Sequence, residues 1–169
     1  MMRRTLMLII VAAGALLQQL LPGWAVCGGI KPPIIAAITL HYALRKTKRE
    51  MLAAMLFAAV LQDGLDLGSF GPALLAFPVV CLLAYRIRNE IFADGLVTQL
   101  VLGGLLGLFT TLVAALVYTV NGQRIMQPGI VFLRLFSSVW LGMATLPLVS
   151  HAINGIEAAI PKRKGYGWQ

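Results

Sequence analysis

The chain has 169 residues, of which 59% are hydrophobic and 12% are charged, with a mean hydropathy of +0.85. Soluble domains carry about 25% charged residues, so this composition excludes an ordinary soluble globular protein and indicates a protein of the lipid bilayer. A net charge of +8 would favour nucleic-acid binding in a soluble chain. Here the basic residues cluster between apolar runs, as topology signals do, and we expect no nucleic-acid partner.

The N-terminal segment predicts the first membrane span. Arg3 and Arg4 precede an apolar run over 5–21, which is just long enough to cross about 30 Å of hydrocarbon. The run resembles a signal peptide, but the small residues of a cleavage site are missing around Trp24, so we expect it to remain in the protein.

The second and third predicted spans are short. The second, over 32–44, begins at a proline pair, and the third, over 51–67, ends among polar residues that include Asp63. The two segments could cross the bilayer fully or form a re-entrant pair. The basic cluster between them, at 45–49, favours full crossings under the positive-inside rule.

Three further apolar segments complete the prediction, over 72–88, 96–120 and 130–153. The fifth span is the clearest, with 25 uncharged residues. The sequence therefore predicts an all-α integral membrane protein with six transmembrane helices in a single polytopic domain over 1–169.

Charge placement predicts the orientation. With the N-terminus inside and six crossings, 11 of the 14 cations fall on the cytoplasmic side, and both termini are cytoplasmic. The 11 are Arg3, Arg4, Arg45, Lys46, Lys48, Arg49, Arg86, Arg88, Lys162, Arg163 and Lys164. Lys31, Arg124 and Arg134 remain at the outer side.

Charged residues within spans are candidate sites, because an ionised side chain at the bilayer centre costs roughly 2.5–3.5 kcal/mol on insertion scales. Asp63, near the outer end of the third span, is a candidate contact for a partner, a ligand or an ion pair, or simply a polar helix end. Arg134, near the outer end of the sixth span, could pair with Asp63 or extend to the headgroups.

The remaining patterns indicate packing. Gly103 and Gly107 form a small-xxx-small pair that lets helices approach closely. His41 and His151 lack the neighbours of a metal site or a proton relay, and we expect packing or hydrogen bonding from them. No catalytic motif is present, so we predict neither enzymatic activity nor a cofactor.

The stretch from His41 to Phe92 resembles the rod shape-determining protein MreD. In that family the second span ends in tyrosine and basic residues, and an aspartate is followed after eight residues by a glycine. An alanine–tyrosine pair then precedes more basic residues. Those places are held here by Tyr42, Arg45, Asp63, Gly71, Ala84 and Tyr85. The last span, with Ser138 and Pro147, is also similar, although Ala59 and Gly142 depart from the family pattern.

This resemblance implies a non-catalytic subunit of the cell-elongation machinery in the bacterial inner membrane. Such subunits bind the bitopic protein MreC and, through it, join the MreB filament and the cell-wall synthases. Asp63, Gly71, Tyr85, Arg134 and Pro147 are then the candidate partner-binding or structural residues.

A second hypothesis is the substrate-binding subunit of an energy-coupling-factor vitamin transporter, which shares the six-helix plan. Such subunits often carry an Ala-x-x-x-Ala-like docking pattern in the first span. Here Ala12 and Ala13 are followed four residues later by Leu16 and Leu17, so the pattern is absent. The predicted outer loops also offer few of the aromatic and polar groups that a vitamin site needs.

Overall fold

The computed structural model describes residues 2–23, 29–65, 71–88, 95–122 and 128–159. Their regular secondary structure consists of six α-helices, which confirms the all-α prediction. The helices are α1 (Met2–Leu20), α2 (Ile34–Arg45), α3 (Lys48–Leu65), α4 (Pro72–Ile87), α5 (Leu96–Val120) and α6 (Pro128–Ala159). Each predicted span corresponds to one helix, and α6 continues to Ala159 where the prediction ended at 153.

The short helix α2 lies at the centre of the bundle. It contacts all five other helices, and every residue from Ile35 to Leu44 is buried. Its 12 residues make it only about 18 Å long at 1.5 Å per residue. A helix enclosed by protein does not need an apolar face that matches the bilayer thickness, which accounts for the short second segment.

The helices alternate in direction between two ends of the bundle. At one end, Gln18 of α1 lies against Gln62 of α3 and the start of α2. At the other end, Arg45 at the end of α2 meets Asn154 near the end of α6. We call these the Asp63 end and the Arg45 end.

Most of the cationic side chains that the structure describes lie at the Arg45 end. Six of them belong to the ends of α2 and α4 and to the start of α3: Arg45, Lys46, Lys48, Arg49, Arg86 and Arg88. Lys31 and Arg134 lie at the Asp63 end. The other cations used in the topology prediction, Arg3, Arg4, Arg124 and the basic residues at 162–164, lie outside the described side chains.

The turn between α2 and α3 is closed by a local cap. The Thr47 hydroxyl donates to Glu50 Oε2 at 3.1 Å, and the Thr47 N–H reaches the same oxygen at 3.4 Å. This Ser/Thr-x-x-Glu arrangement is a helix-start signal that satisfies backbone donors at the first turn. It lets the chain reverse within two residues and places four cations at one end of the bundle.

Helices α5 and α6 approach each other through glycines. A Cβ atom added at Gly107 would overlap the Ser138 carbonyl oxygen, and one at Gly103 would overlap the Gly142 carbonyl oxygen. In turn, a Cβ at Gly142 would meet the Gly103 carbonyl oxygen. The two backbones are therefore in direct contact, which larger side chains would prevent.

Between the two ends, the outward faces of the described helices are largely apolar. Leucine and valine side chains are exposed along the whole length of α5, from Leu96 through Leu105 to Val120, and α6 exposes Phe136 and Trp140. Several polar side chains lie inside instead: Gln18, Thr39, His41, Asp63, Gln99, Thr145 and Ser150. By length and composition, α5 and residues Gly129–Ala159 could each span a membrane. Apolar side chains outside and polar side chains inside are the arrangement expected of a protein surrounded by lipid.

Candidate functional site

Asp63 belongs to α3 but caps the first turn of α4. Its Oδ1 accepts the Ala73 N–H at 2.9 Å, and its Oδ2 accepts the N–H groups of Gly71 and Leu74 at 3.1 and 3.0 Å. The residue as a whole is 4% exposed. The first N–H groups of a helix have no partner within it, and a negative charge there is stabilised by the helix dipole. Asp63 therefore joins the end of α3 to the start of α4.

Gly71 explains why the cap comes from another helix. It precedes Pro72, the first residue of α4, and has φ +130°, a conformation that L side chains rarely adopt. Its position as N-cap residue provides no side chain to accept a hydrogen bond. The eight-residue separation between Asp63 and Gly71 thus brings a carboxylate of α3 to the N-terminus of α4, which has no side-chain cap of its own.

Gln18 makes a similar connection between α1, α2 and α3. Its Oε1 accepts the Ile35 N–H in the first turn of α2 at 3.0 Å, and its Nε2 donates to Gln62 Oε1 at 3.0 Å. Neither glutamine is among the candidate residues predicted from the sequence. The available signal was an uncharged polar residue near the end of each apolar run, a common place for a residue that satisfies a neighbouring helix end.

The side chains at the Asp63 end surround a cavity of about 350 Å³, to which all six helices contribute. Its polar lining includes Gln18, Gln62, Asp63, Thr110, Tyr118 and Ser138, and its apolar lining includes Ala36, Ala76, Phe77 and Ala114. The predicted outer loops supply few polar groups for a vitamin site. Most of the polar groups come instead from within the helices.

Three of the described residues that line the cavity are charged: Lys31, Asp63 and Arg134. The structure thus brings together Asp63 and Arg134, the two residues for which an ion pair was one of the predicted alternatives. The Asp63 carboxylate is engaged by the backbone of α4, as described above. Lys31 Nζ donates to Gln19 Oε1 at 2.7 Å, so its charge lies beside a neutral amide.

Tyr85 belongs to a separate arrangement at the Arg45 end. The guanidinium of Arg88 stacks 4.0 Å from the centre of the Tyr85 ring, and its Nη1 donates to the Lys46 carbonyl at 2.6 Å. A cation that bonds a terminal carbonyl also interacts favourably with the helix dipole. Tyr85 and Arg88 together therefore hold the end of α4 to the end of α2.

Further polar contacts fasten α6 to α2. Arg45 Nη1 donates to Asn154 Oδ1 at 2.6 Å, and Lys46 pairs with Glu157 at 2.7 Å. Within the bundle, His41 Nδ1 lies 3.1 Å from Ser150 Oγ, in agreement with the expected hydrogen-bonding role of that histidine.

Pro147, three residues before Ser150, lies inside the continuous helix. His151 is exposed and lies apart from this contact.

Comparison of the chain with family models, curated proteins and solved structures yields no match. The two ends of the bundle differ in character. The Asp63 end holds a cavity and two cross-helix caps. The Arg45 end is strongly basic and ties α2 to α4 and α6.

Proposed function

We propose that this protein is a non-catalytic subunit of the bacterial cell-elongation machinery in the inner membrane, where it binds an MreC-like bitopic protein. The observation that carries this proposal is the fixation of α4 at both of its ends. Asp63 holds its first turn, and Arg88, stacked on Tyr85, holds its last. Asp63, Gly71 and Tyr85 are also among the residues that carry the resemblance to the MreD family, so part of that pattern corresponds to contacts that hold α4 in this chain.

A helix held in this way is a suitable platform for the single membrane helix of a bitopic partner. The face of α4 away from the bundle exposes Leu75, Val79, Leu82 and Leu83. Helices associate in lipid through packing, because lipid tails are as apolar as leucine. A rigid, preorganised face loses little conformational entropy on association, which favours binding.

Six membrane crossings with both termini in the cytoplasm form part of the proposal. The alternating helix directions and the concentration of cations at the Arg45 end support it. The test is cysteine labelling in intact cells, with Cys27 and Cys81 replaced. We expect Lys48→Cys to react with an impermeant maleimide only after permeabilisation, and Gly122→Cys to react without it. Labelling of Lys48→Cys in intact cells would overturn this orientation.

Partner binding is tested by co-expression with an MreC-like protein from the same genome and purification through a tag on this chain. We expect a stable complex, and loss of rod shape when the chain is depleted. A photo-crosslinking residue at Leu83 should capture the partner, whereas one at the equally exposed Leu105 of α5 serves as the matched control. Failure of the complex to form in detergent and in membranes would refute the proposed role.

The cavity at the Asp63 end favours a second candidate, the vitamin-binding subunit of an energy-coupling-factor transporter. Its volume suits a small molecule. The missing Ala-x-x-x-Ala pattern in α1 argues against docking to the other transporter subunits. Co-purification of the chain with an ATPase pair, and without an MreC-like protein, would establish this alternative in place of the first.

A further inference from the structure

The cavity at the Asp63 end has the size and the lining of a ligand site. Its volume of about 350 Å³ falls within the range of 300–1,000 Å³ that small-molecule sites occupy. Its lining combines apolar side chains, which include Ala76, Phe77 and Ala114, with charged and polar ones. A ligand that fits both must have an apolar part and a polar part.

The charges of the cavity favour an anionic group. Among the lining residues that the structure describes, three are charged, and two of them, Lys31 and Arg134, are cations. The negative charge of Asp63 faces three backbone N–H groups at the start of α4, where the helix dipole places positive charge. The start of α2 lies at the same end, near Pro33. With Asp63 engaged by these N–H groups, the two cations are the described charges left to attract an anion, and low surrounding polarity strengthens that attraction.

The hydroxyl groups of the lining indicate a second property of the ligand. Thr110 Oγ1 donates to the carbonyl oxygens of Leu106 and Gly107 at 2.9 and 3.1 Å, and Ser138 Oγ donates to Leu135 O at 2.8 Å. With their hydrogens used within the helices, these oxygens have lone pairs available to accept hydrogen bonds from a ligand. They favour a ligand that carries donors of its own, such as hydroxyl groups, close to its anionic group.

We propose that the cavity binds the glycerol phosphate group of a small amphiphile. The phosphate is placed toward Lys31 and Arg134, the glycerol hydroxyls donate to Thr110 and Ser138, and the apolar part lies against Phe77. Two sources supply this chemistry: the headgroup of phosphatidylglycerol and free glycerol phosphate. This proposal is independent of the partner-binding role, because it concerns the isolated chain.

The test is binding to the purified full chain in detergent, followed by native mass spectrometry and thermal unfolding. The probes are short-chain phosphatidylglycerol, short-chain phosphatidylcholine and glycerol 3-phosphate. We expect phosphatidylglycerol to bind at least tenfold more tightly than phosphatidylcholine, which lacks the hydroxyls and has no net charge. Binding of glycerol 3-phosphate alone would support the free molecule as the source. Equal binding of the two lipids, or no binding of any anionic probe, would overturn the proposal.

Variants locate the binding within the molecule. Lys31→Gln keeps a polar side chain beside Gln19 but removes the cation, and we expect it to weaken phosphatidylglycerol binding at least fivefold. Lys31→Arg should restore most of the affinity. Lys48→Gln removes an exposed cation at the Arg45 end and is the matched control, with affinity unchanged. Unchanged binding by a folded Lys31→Gln protein, or equal losses in Lys31→Gln and Lys48→Gln, would refute the assignment to this cavity.

Discussion

Replacement of Asp63 tests the cap that joins α3 to α4. Hydrogen bonds to charged groups contribute about 1.5–3 kcal/mol each, and Asp63 accepts three of them from the α4 backbone. Water in the adjoining cavity can replace part of this loss, so we expect Asp63→Ala to lower the free energy of unfolding by about 3–5 kcal/mol. Asp63→Asn keeps one oxygen acceptor and should cost about 1–2 kcal/mol.

The measurement is thermal unfolding of the purified variants in the same detergent. For a chain of this size each kcal/mol corresponds to about 2–4 °C in Tm, so Asp63→Ala should unfold about 6–20 °C below the unsubstituted protein. Glu157→Gln, which breaks a partly exposed ion pair, should cost about 1 kcal/mol or less. Hydrogen exchange of residues 71–75 should accelerate only in the Asp63 variants. A Tm of Asp63→Ala within 2 °C of the unsubstituted protein would refute the capping role.

Two further substitutions test other contacts between helices by the same unfolding assay. Gly107→Ala places a Cβ on the Ser138 carbonyl oxygen and should cost about 1–3 kcal/mol, whereas nothing lies within 4 Å of a Cβ at Gly155, where alanine should be neutral or stabilising. Arg88→Ala removes the bond to the Lys46 carbonyl and should cost about 1–2 kcal/mol, with part of it recovered by Arg88→Lys. Equal stability of the two glycine variants, or of Arg88→Ala and the unsubstituted protein, would contradict the corresponding contact.

The helices that the sequence predicted best are those whose boundaries are set by local chemistry. The fifth span ends where its apolar run meets Asn121-Gly122, and α5 accordingly ends at Val120. The fourth begins at Pro72, a residue that suits the first turn of a helix. In both cases a residue that starts or stops a helix stands next to the apolar run.

The burial of α2 could not be predicted in the same way. A leucine that faces lipid and a leucine that faces protein satisfy the same hydropathy, so an apolar run does not reveal which helix is central. The cross-helix caps were hidden for a related reason. Gln18 lies 17 residues from Ile35 and 44 from Gln62, and no local pattern connects positions so far apart. Asp63 could be identified as a candidate only because a charge within a predicted membrane span is costly in free energy.

The central position of α2 has a consequence for biosynthesis. Its contacts with Asn154 and Ser150 join residues 109 positions apart, so α2 leaves the ribosome long before α6 exists. Until then its 12 residues, which include Thr39 and His41, lack the neighbour that completes their enclosure. The nascent chain therefore passes through a stage in which its future core is open on one side, before His41 and Arg45 meet their partners on α6.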